Sequence, residues 1–163
     1  MKKMDHDEMY RLYARSVYGF LLNLCHDPHI AEELTAETFY QAIRSIERYD
    51  GTCQLKTWLF QIAKNMWRKE ARRLHISQAK EIYAEEITSP AASIEETVES
   101  ASQKIVLYKK INALDEPYRT VIYLRLSGDL TFNEIGEILN RTAGWARVTY
   151  YRGKERLKEE NEK

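Results

Sequence analysis

The sequence predicts an all-α fold: two small helical domains joined by a flexible acidic linker, the C-terminal one a helix-turn-helix. Three observations carry this. Apolar residues recur at helical spacing through most of the chain. Only six Gly and three Pro occur in 163 residues, and strand-like Val and Thr runs are few. Between residues 81 and 99 there are six glutamates, no Lys or Arg, and a Ser-Pro-Ala-Ala-Ser break. That composition suits a solvated connection better than a core-forming helix. The division is residues 1–76, a linker over 77–103, and residues 104–163. Each half is near the size at which a lone hydrophobic core is marginal.

In the first helix Tyr10, Tyr13, Ala14, Val17, Leu21 and Leu24 make one apolar stripe. "HDP" ends it; Asp27 can cap a second helix and Pro28 suits its first turn. In that second helix Ala31, Leu34, Thr38, Ala42, Ile43 and Ile46 share a face, and Glu33, Ala36, Glu37 and Tyr40 share the opposite one. "RYDGTCQ" reads as a loop around the Asp50-Gly51 turn pair. A third helix opens near "KTW", apolar in its first half and basic in its second. Past the acidic stretch, "KIVLYKKINAL" resumes helical spacing. "DEPYRTVIYLRLSGD" reads as a helix opened by Asp115, Glu116 and Pro117 and ended by Gly128.

The C-terminal segment divides into two helices and a short turn. Thr131 and Glu134 have capping-box spacing. Ile135, Ile138 and Leu139 form the inner face of the helix they open, and Gly136 is small where two helices cross closely. Asn140 tolerates the left-handed conformation such a turn wants, and Thr142 can cap the next helix. That helix carries Arg147, Arg152, Lys154, Arg156 and Lys158. A braced basic helix of this kind enters the major groove of DNA, where Arg reads guanine edges and neighbouring cations neutralise phosphates.

A second basic face lies on the third helix. Lys64, Arg68 and Arg72 are spaced four apart, with Asn65, Lys69 and Arg73 close by and Trp67 interleaved. Stacking groups among cations suit strand-separated DNA. Formal net charge is nonetheless zero, with 25 Lys and Arg against 25 Asp and Glu, because glutamates elsewhere balance both patches. The acidic outer side of the second helix cannot bind DNA; it is either solvated or a dock for a basic protein surface.

Two other readings compete. A dimeric transcription regulator would use the helix-turn-helix on a palindrome, but its sensing domain needs no basic, Trp-bearing helix. An enzyme would need convergent groups. Cys25, His26 and His29 cluster near Glu32 and Glu33, yet Asp27-Pro28 interrupts the helix on which they would meet. No catalytic residue, metal site or cofactor is expected. Two cysteines, Cys25 and Cys53, make no disulfide framework and fit a reducing compartment. "MKKMDHDEMYRLY" lacks the apolar core of a signal peptide and no long apolar run spans a membrane, so a cytoplasmic protein without direct membrane insertion is expected.

Together these segments resemble the extracytoplasmic-function sigma factors of bacterial RNA polymerase. "HIAEELTAETFYQAIRSIERYD" is similar to the helix with which that family binds the clamp helices of the polymerase's largest subunit. "LKTWLFQIAKNMWRKEARR" is similar to its promoter-melting helix, and "ALDEPYRTVIYLRLSGDLTFNEIGEILNRTAGWARVTYYRGKERL" to its helix-turn-helix domain. The resemblance implies a transcription initiation factor that binds core polymerase, directs it to specific promoters and helps to melt them. By matching positions it implies polymerase docking through Glu33, Leu34, Glu37 and Phe39. Contact with the minus-ten element would come from Tyr49, Asp50, Gly51, Asn65, Arg68, Lys69 and Arg72, with Tyr49 to Leu55 as the loop that holds a flipped base. Contact with the minus-thirty-five element would come from Thr142, Arg147, Val148, Tyr151 and Arg152. An anti-sigma factor is an implied partner. The sequence departs from the family at Ala36, where a glutamine is common, and at Arg141 and Trp145. No extra C-terminal domain is expected.

Overall fold

A computed structural model describes residues 5–77 and 98–161. The elements are α1 (His6–Cys25), α2 (Pro28–Ser45), a 3-10 turn (Ile46–Arg48), α3 (Leu55–Ser77), α4 (Val98–Asn112), α5 (Tyr118–Gly128), α6 (Phe132–Leu139) and α7 (Ala143–Asn161). No strand occurs among the described residues. The expected linker lies largely outside them; its described end is already helical, since α4 begins at Val98 rather than near 104.

The helix boundaries follow local chemistry. His26 ends α1 in the left-handed region at φ 59°, its N–H donating to the Leu22 carbonyl at 2.8 Å. Asp27 then opens α2: its Oδ1 accepts from the N–H groups of His29 (2.9 Å) and Ile30 (3.3 Å), with Pro28 in the first turn. These bonds satisfy two of the orphan donors of the helix. At the start of α5, Glu116 pairs with Arg119 at 2.9 Å and accepts from the Thr120 N–H (3.3 Å) and hydroxyl (2.7 Å).

Helices α1, α2 and α3 enclose one core. Val17, Phe20, Leu21, Ala31, Ala42, Leu59, Phe60 and Ala63 are fully buried, and the Phe20 and Phe60 rings meet at 5.4 Å. The buried face of α1 is rotated from the expected stripe. Met9 and Phe20 go inside, whereas Tyr10 stays at the rim with its ring edge on Phe39 at 5.0 Å. Likewise Ile43 of α2 is exposed. Helices α5, α6 and α7 enclose a second core around Val121, Ile122, Leu124, Leu130, Ile135, Ile138 and Ala146. Helix α4 closes it through Ile111 and through the stacked rings of Tyr108 and Tyr123, 6.2 Å apart. The Tyr123 hydroxyl donates to Asn112 Oδ1, and burial pushes this phenol well above the ordinary tyrosine range.

The two halves pack directly on each other, α1 against α5 and α3 against α6. Asn23, buried near the end of α1, donates from Nδ2 to Ser127 Oγ of α5 at 2.7 Å. Gly128 sits where a Cβ would come within 2.9 Å of Leu130 and 3.1 Å of Phe60. It therefore ends α5 as expected, but its absent side chain also lets the two cores approach.

His26 lies near this seam. Burial, and secondarily the charge of Arg119, hold its imidazole below the usual histidine pKa. A pKa lowered by folding contributes stability above the unfolded value near 6.5, and that stability is lost as pH falls through the folded value. Acidification from pH 7.5 to 5.5 is thus expected to lower the urea midpoint of the wild type more than that of His26→Asn. Asparagine keeps the left-handed cap without a titrating ring. Parallel loss in both proteins would remove His26 from the pH response.

Candidate nucleic-acid interface

Three surfaces emerge from the fold. On α3, Asn65, Arg68, Lys69 and Arg72 are all exposed along one helix. Arg73 is committed elsewhere, donating from Nε to Glu70 at 3.1 Å and holding that carboxylate below the usual range. Lys64 is half-buried and turned away from solvent; its Nζ donates to the carbonyl of Ile138 in α6 at 2.7 Å. Burial, then the charge of Arg68, lowers its pKa. So the run of cations read from the sequence is exposed only from Arg68 onward.

The loop before α3 is built around Asp50. Its Oδ1 accepts from the Thr52 N–H at 3.0 Å and hydroxyl at 2.7 Å, which keeps the carboxyl ionised below the ordinary range. Gly51 takes φ 77°, the left-handed region that favours glycine. Tyr49 packs its ring on Trp58 at 5.0 Å and donates its hydroxyl to the Cys53 carbonyl. A cleft of about 460 Å³ results, lined by Tyr49, Asp50, Thr52, Cys53 and Trp58, with Glu137 and Asn140 of the other half on its far side. Aromatic walls beside hydrogen-bonding groups can stack and hold a flat base.

The helix-turn-helix forms as its caps require. The Thr131 hydroxyl accepts from the Glu134 N–H at 3.2 Å, and the Glu134 carboxylate accepts from the Thr131 N–H at 2.7 Å. Asn140 takes φ 57°, and the Arg141 N–H donates to the Gly136 carbonyl at 2.7 Å. Thr142 opens α7 by accepting from the Trp145 N–H at 3.0 Å. Ala146, Thr149 and Gly153 face inward; Arg147, Val148, Tyr151 and Arg152 are exposed together on the outer side. The guanidinium of Arg147 rests over the Phe132 ring at 5.6 Å, and that of Arg125 over the same ring at 4.6 Å. Arg125 is itself fixed by donating to the Leu130 carbonyl at 2.6 Å. Phe132 and Arg125 were not singled out from the sequence; an aromatic beside a capping Thr is the signal that could have drawn attention to them.

Trp145, whose direction the sequence leaves open, turns toward the seam. With Leu24, Trp67, Pro117 and Leu139 it lines a cleft of about 570 Å³ between the halves, rimmed by Lys64, Arg68 and Arg141. Arg141 lies over the Trp145 ring at 5.2 Å. These two unusual residues thus hold each other at the inter-domain edge.

The segment of α2 likened to the docking helix divides between surface and core. Glu33 and Glu37 are exposed, but Leu34 is 8% exposed and Phe39 only 4%. Helical spacing puts Leu34 and Phe39 on the core side, so they support the surface from within. The outward groups are Glu33, Glu37 and Tyr40, the last 55% exposed. Glu37 Oε1 accepts from Gln41 Nε2 at 2.9 Å. Among the described residues, no group of three or more His, Cys, Asp or Glu is placed to hold a metal. Cys25 and Cys53 are separate thiols, both raised in pKa by burial.

Residues 9–75, from the first turn of α1 to two residues short of the end of α3, match the sigma-70 region 2 family. The whole chain is similar to the ECF RNA polymerase sigma factor SigM of Bacillus subtilis, at 32% identity over 95% of this chain and 94% of the relative. It is also similar to the ECF RNA polymerase sigma factor SigW of the same organism, at 28% identity over 98% and 92%. Its fold is similar to that of the sigma factor RpoE from Bartonella quintana, solved in complex with the anti-sigma factor NepR. The TM-score is 0.78, at 19% identity over 94% of each chain.

Proposed function

Because the chain belongs to the extracytoplasmic-function sigma factors of RNA polymerase, we propose that its three surfaces divide the work of transcription initiation among themselves. The family binds core polymerase and directs it to promoters. In this reading Glu33 and Glu37 on α2 meet the clamp helices of the largest subunit, with Leu34 and Phe39 holding that face rigid from beneath. Asn65, Arg68, Lys69 and Arg72 meet the minus-ten element, where the strands part. The loop of Tyr49, Asp50 and Gly51 holds an extruded base in the cleft beside it. Thr142, Arg147, Val148, Tyr151 and Arg152 meet the minus-thirty-five element. The chain itself makes and breaks no bond. Capture of an unstacked base and of backbone phosphates offsets the cost of opening the duplex. The work is done in the cytoplasm, with an anti-sigma factor as the restraining partner. Among the described residues no helix is long and apolar enough to cross a membrane.

The observation that carries this reading is the exposure of two separate basic faces, on α3 and α7, in one chain of zero net charge. Transcription in vitro tests it: core polymerase with this protein and a pool of genomic fragments should initiate at a small set of promoters that core alone ignores. Strong binding of the protein alone to a palindrome, with no change in initiation, would favour the dimeric regulator instead.

Within α7 the roles separate by geometry. Arg147 and Arg152 differ by five positions and point about 140° apart, so they cannot both sit centrally over the same bases. Arg147 lies nearer the helix start, the end that enters the groove deepest. Arg147→Ala is expected to cost about 1–3 kcal/mol on the preferred upstream element and little on scrambled DNA. Arg152→Ala is expected to weaken both alike and to make the salt dependence shallower by about one unit. Titrations at several salt concentrations check this, and the reverse pattern would exchange the two roles.

A further inference from the structure

We propose that the cleft bearing Trp67 and Trp145 is a binding site for a small planar aromatic carboxylate, and that this ligand competes with promoter DNA through Arg68. The competition, though not the binding, rests on the division of DNA contacts proposed above.

The cleft has the size and the lining that such a molecule needs. Its volume of about 570 Å³ lies within the range of small-molecule pockets. Trp67 of α3 and Trp145 of α7 are both half-buried and keep ring surface on it, and Leu24 and Leu139 join them from the ends of α1 and α6. Indole faces reward a flat ring system laid against them. Arg141 lies over the Trp145 ring at 5.2 Å, which places a guanidinium at the edge of the cleft.

The rim is cationic. Lys64 and Arg68 are one turn apart on α3, and Arg141 reaches the same opening from the turn between α6 and α7. Among the described residues none of the three joins an ion pair. Glu116, the carboxylate on the rim, is already paired with Arg119 at 2.9 Å. Like charges at the spacing of Lys64 and Arg68 repel, and Lys64 is half-buried as well. Its Nζ gives one N–H to the Ile138 carbonyl at 2.7 Å and has two left. A carboxylate held here would offset the repulsion and accept charge-assisted bonds from ammonium and guanidinium. An inorganic anion would satisfy the cations and leave the indoles uncovered; a neutral arene would do the reverse. The combination selects a molecule that has both parts.

Arg68 ties the cleft to DNA. It is exposed beside Asn65 and Lys69, and in the reading above it meets the minus-ten element. One guanidinium cannot serve a ligand carboxylate and a DNA phosphate fully at the same time. Ligand and promoter DNA therefore weaken each other's binding by the same factor.

The probe is naphthoate, with naphthamide and acetate as its neutral and ring-free counterparts. The chain has three tryptophans, and the third, Trp58, stands on the other cleft against Tyr49. Indole N–H signals in the NMR spectrum of the isotope-labelled protein thus report where the probe sits. Those of Trp67 and Trp145 should move to saturation below about 1 mM naphthoate, and that of Trp58 should stay. Naphthamide and acetate should bind about tenfold more weakly, and Arg141→Gln should weaken naphthoate about fivefold without changing the amide. Naphthamide binding as tightly as naphthoate, an equal shift of Trp58, or no saturation by about 10 mM would overturn the site. With core polymerase, saturating naphthoate should lower promoter-specific initiation by the wild type about threefold, and less by Arg141→Gln, each against its own activity without ligand. Unchanged initiation by the saturated wild type would overturn the competition. Should the wild type direct no initiation even without ligand, the promoter reading falls, and the NMR titration of the protein alone still decides the site.

Discussion

Gly136→Ala is expected to disable the helix-turn-helix. A Cβ at this position would lie 2.7 Å from the carbonyl oxygen of Arg141 and 2.9 Å from the carbonyl carbon and oxygen of Thr142. All three are backbone atoms of the turn, so no side chain can swing aside. Either α6 and α7 separate or the turn gives up the 2.7 Å bond from the Arg141 N–H to the Gly136 carbonyl. The cost should reach the upper part of the overpacking range, about 2–3 kcal/mol, enough to lower the melting temperature by roughly 10 °C for a unit of this size. Gly144→Ala is the control. Its Cβ would meet only the Thr142 hydroxyl at 3.9 Å, and alanine favours a helix. Denaturant midpoints of the two variants should move in opposite directions, with binding to the upstream element lost only in Gly136→Ala. Equal stability of both would mean that the turn absorbs a methyl group without strain.

Glu37→Lys is expected to abolish co-purification with core polymerase while leaving the fold intact. Glu37 is exposed and accepts a surface hydrogen bond from Gln41, so stability should change by less than about 0.5 kcal/mol. The substitution reverses a charge in the middle of the acidic face formed with Glu33. Like charges across an interface cost several kcal/mol, far more than the surface bond lost. Pull-down with core enzyme, beside circular dichroism of the same preparation, separates docking from folding. A variant that forms holoenzyme normally would return this face to the status of a solvated surface.

Much of the fold was legible because its punctuation is local. Asp27 before Pro28, Thr131 with Glu134 and Asn140 ahead of Thr142 each act within a few residues, and each cap forms as the spacing suggests. The family was legible from the order of the segments. The direction of individual side chains was less so. Within the segment likened to the docking helix, Leu34 and Phe39 are buried by α1 and α3, and Glu33 and Glu37 reach the surface. Of the apolar stripe expected on α1, Val17 and Leu21 are buried, but Met9 and Phe20 join them in place of Tyr10, because the final rotation of α1 is set by what α2, α3 and α5 offer it. The inward turn of Lys64 and the lodging of Trp145 at the seam depend on contacts between residues some 70 or more positions apart. No period in a single sequence encodes such a contact.

The ring of Phe132 gives α7 a property that exposure alone does not reveal. A free arginine side chain gives up about 2 kcal/mol of rotamer entropy when it is held in one geometry. Arg147 has already surrendered part of that freedom in the unbound protein, because it rests on a ring whose position is shared with the anchored Arg125. A probe restrained in advance loses less on meeting the right base and has less slack with which to accommodate a wrong one. With Arg147 in the base-reading role proposed for it, discrimination between promoters would be set partly by an aromatic on the bracing helix, and Phe132→Ala is expected to blur which sequences are chosen before it greatly weakens the grip on any of them.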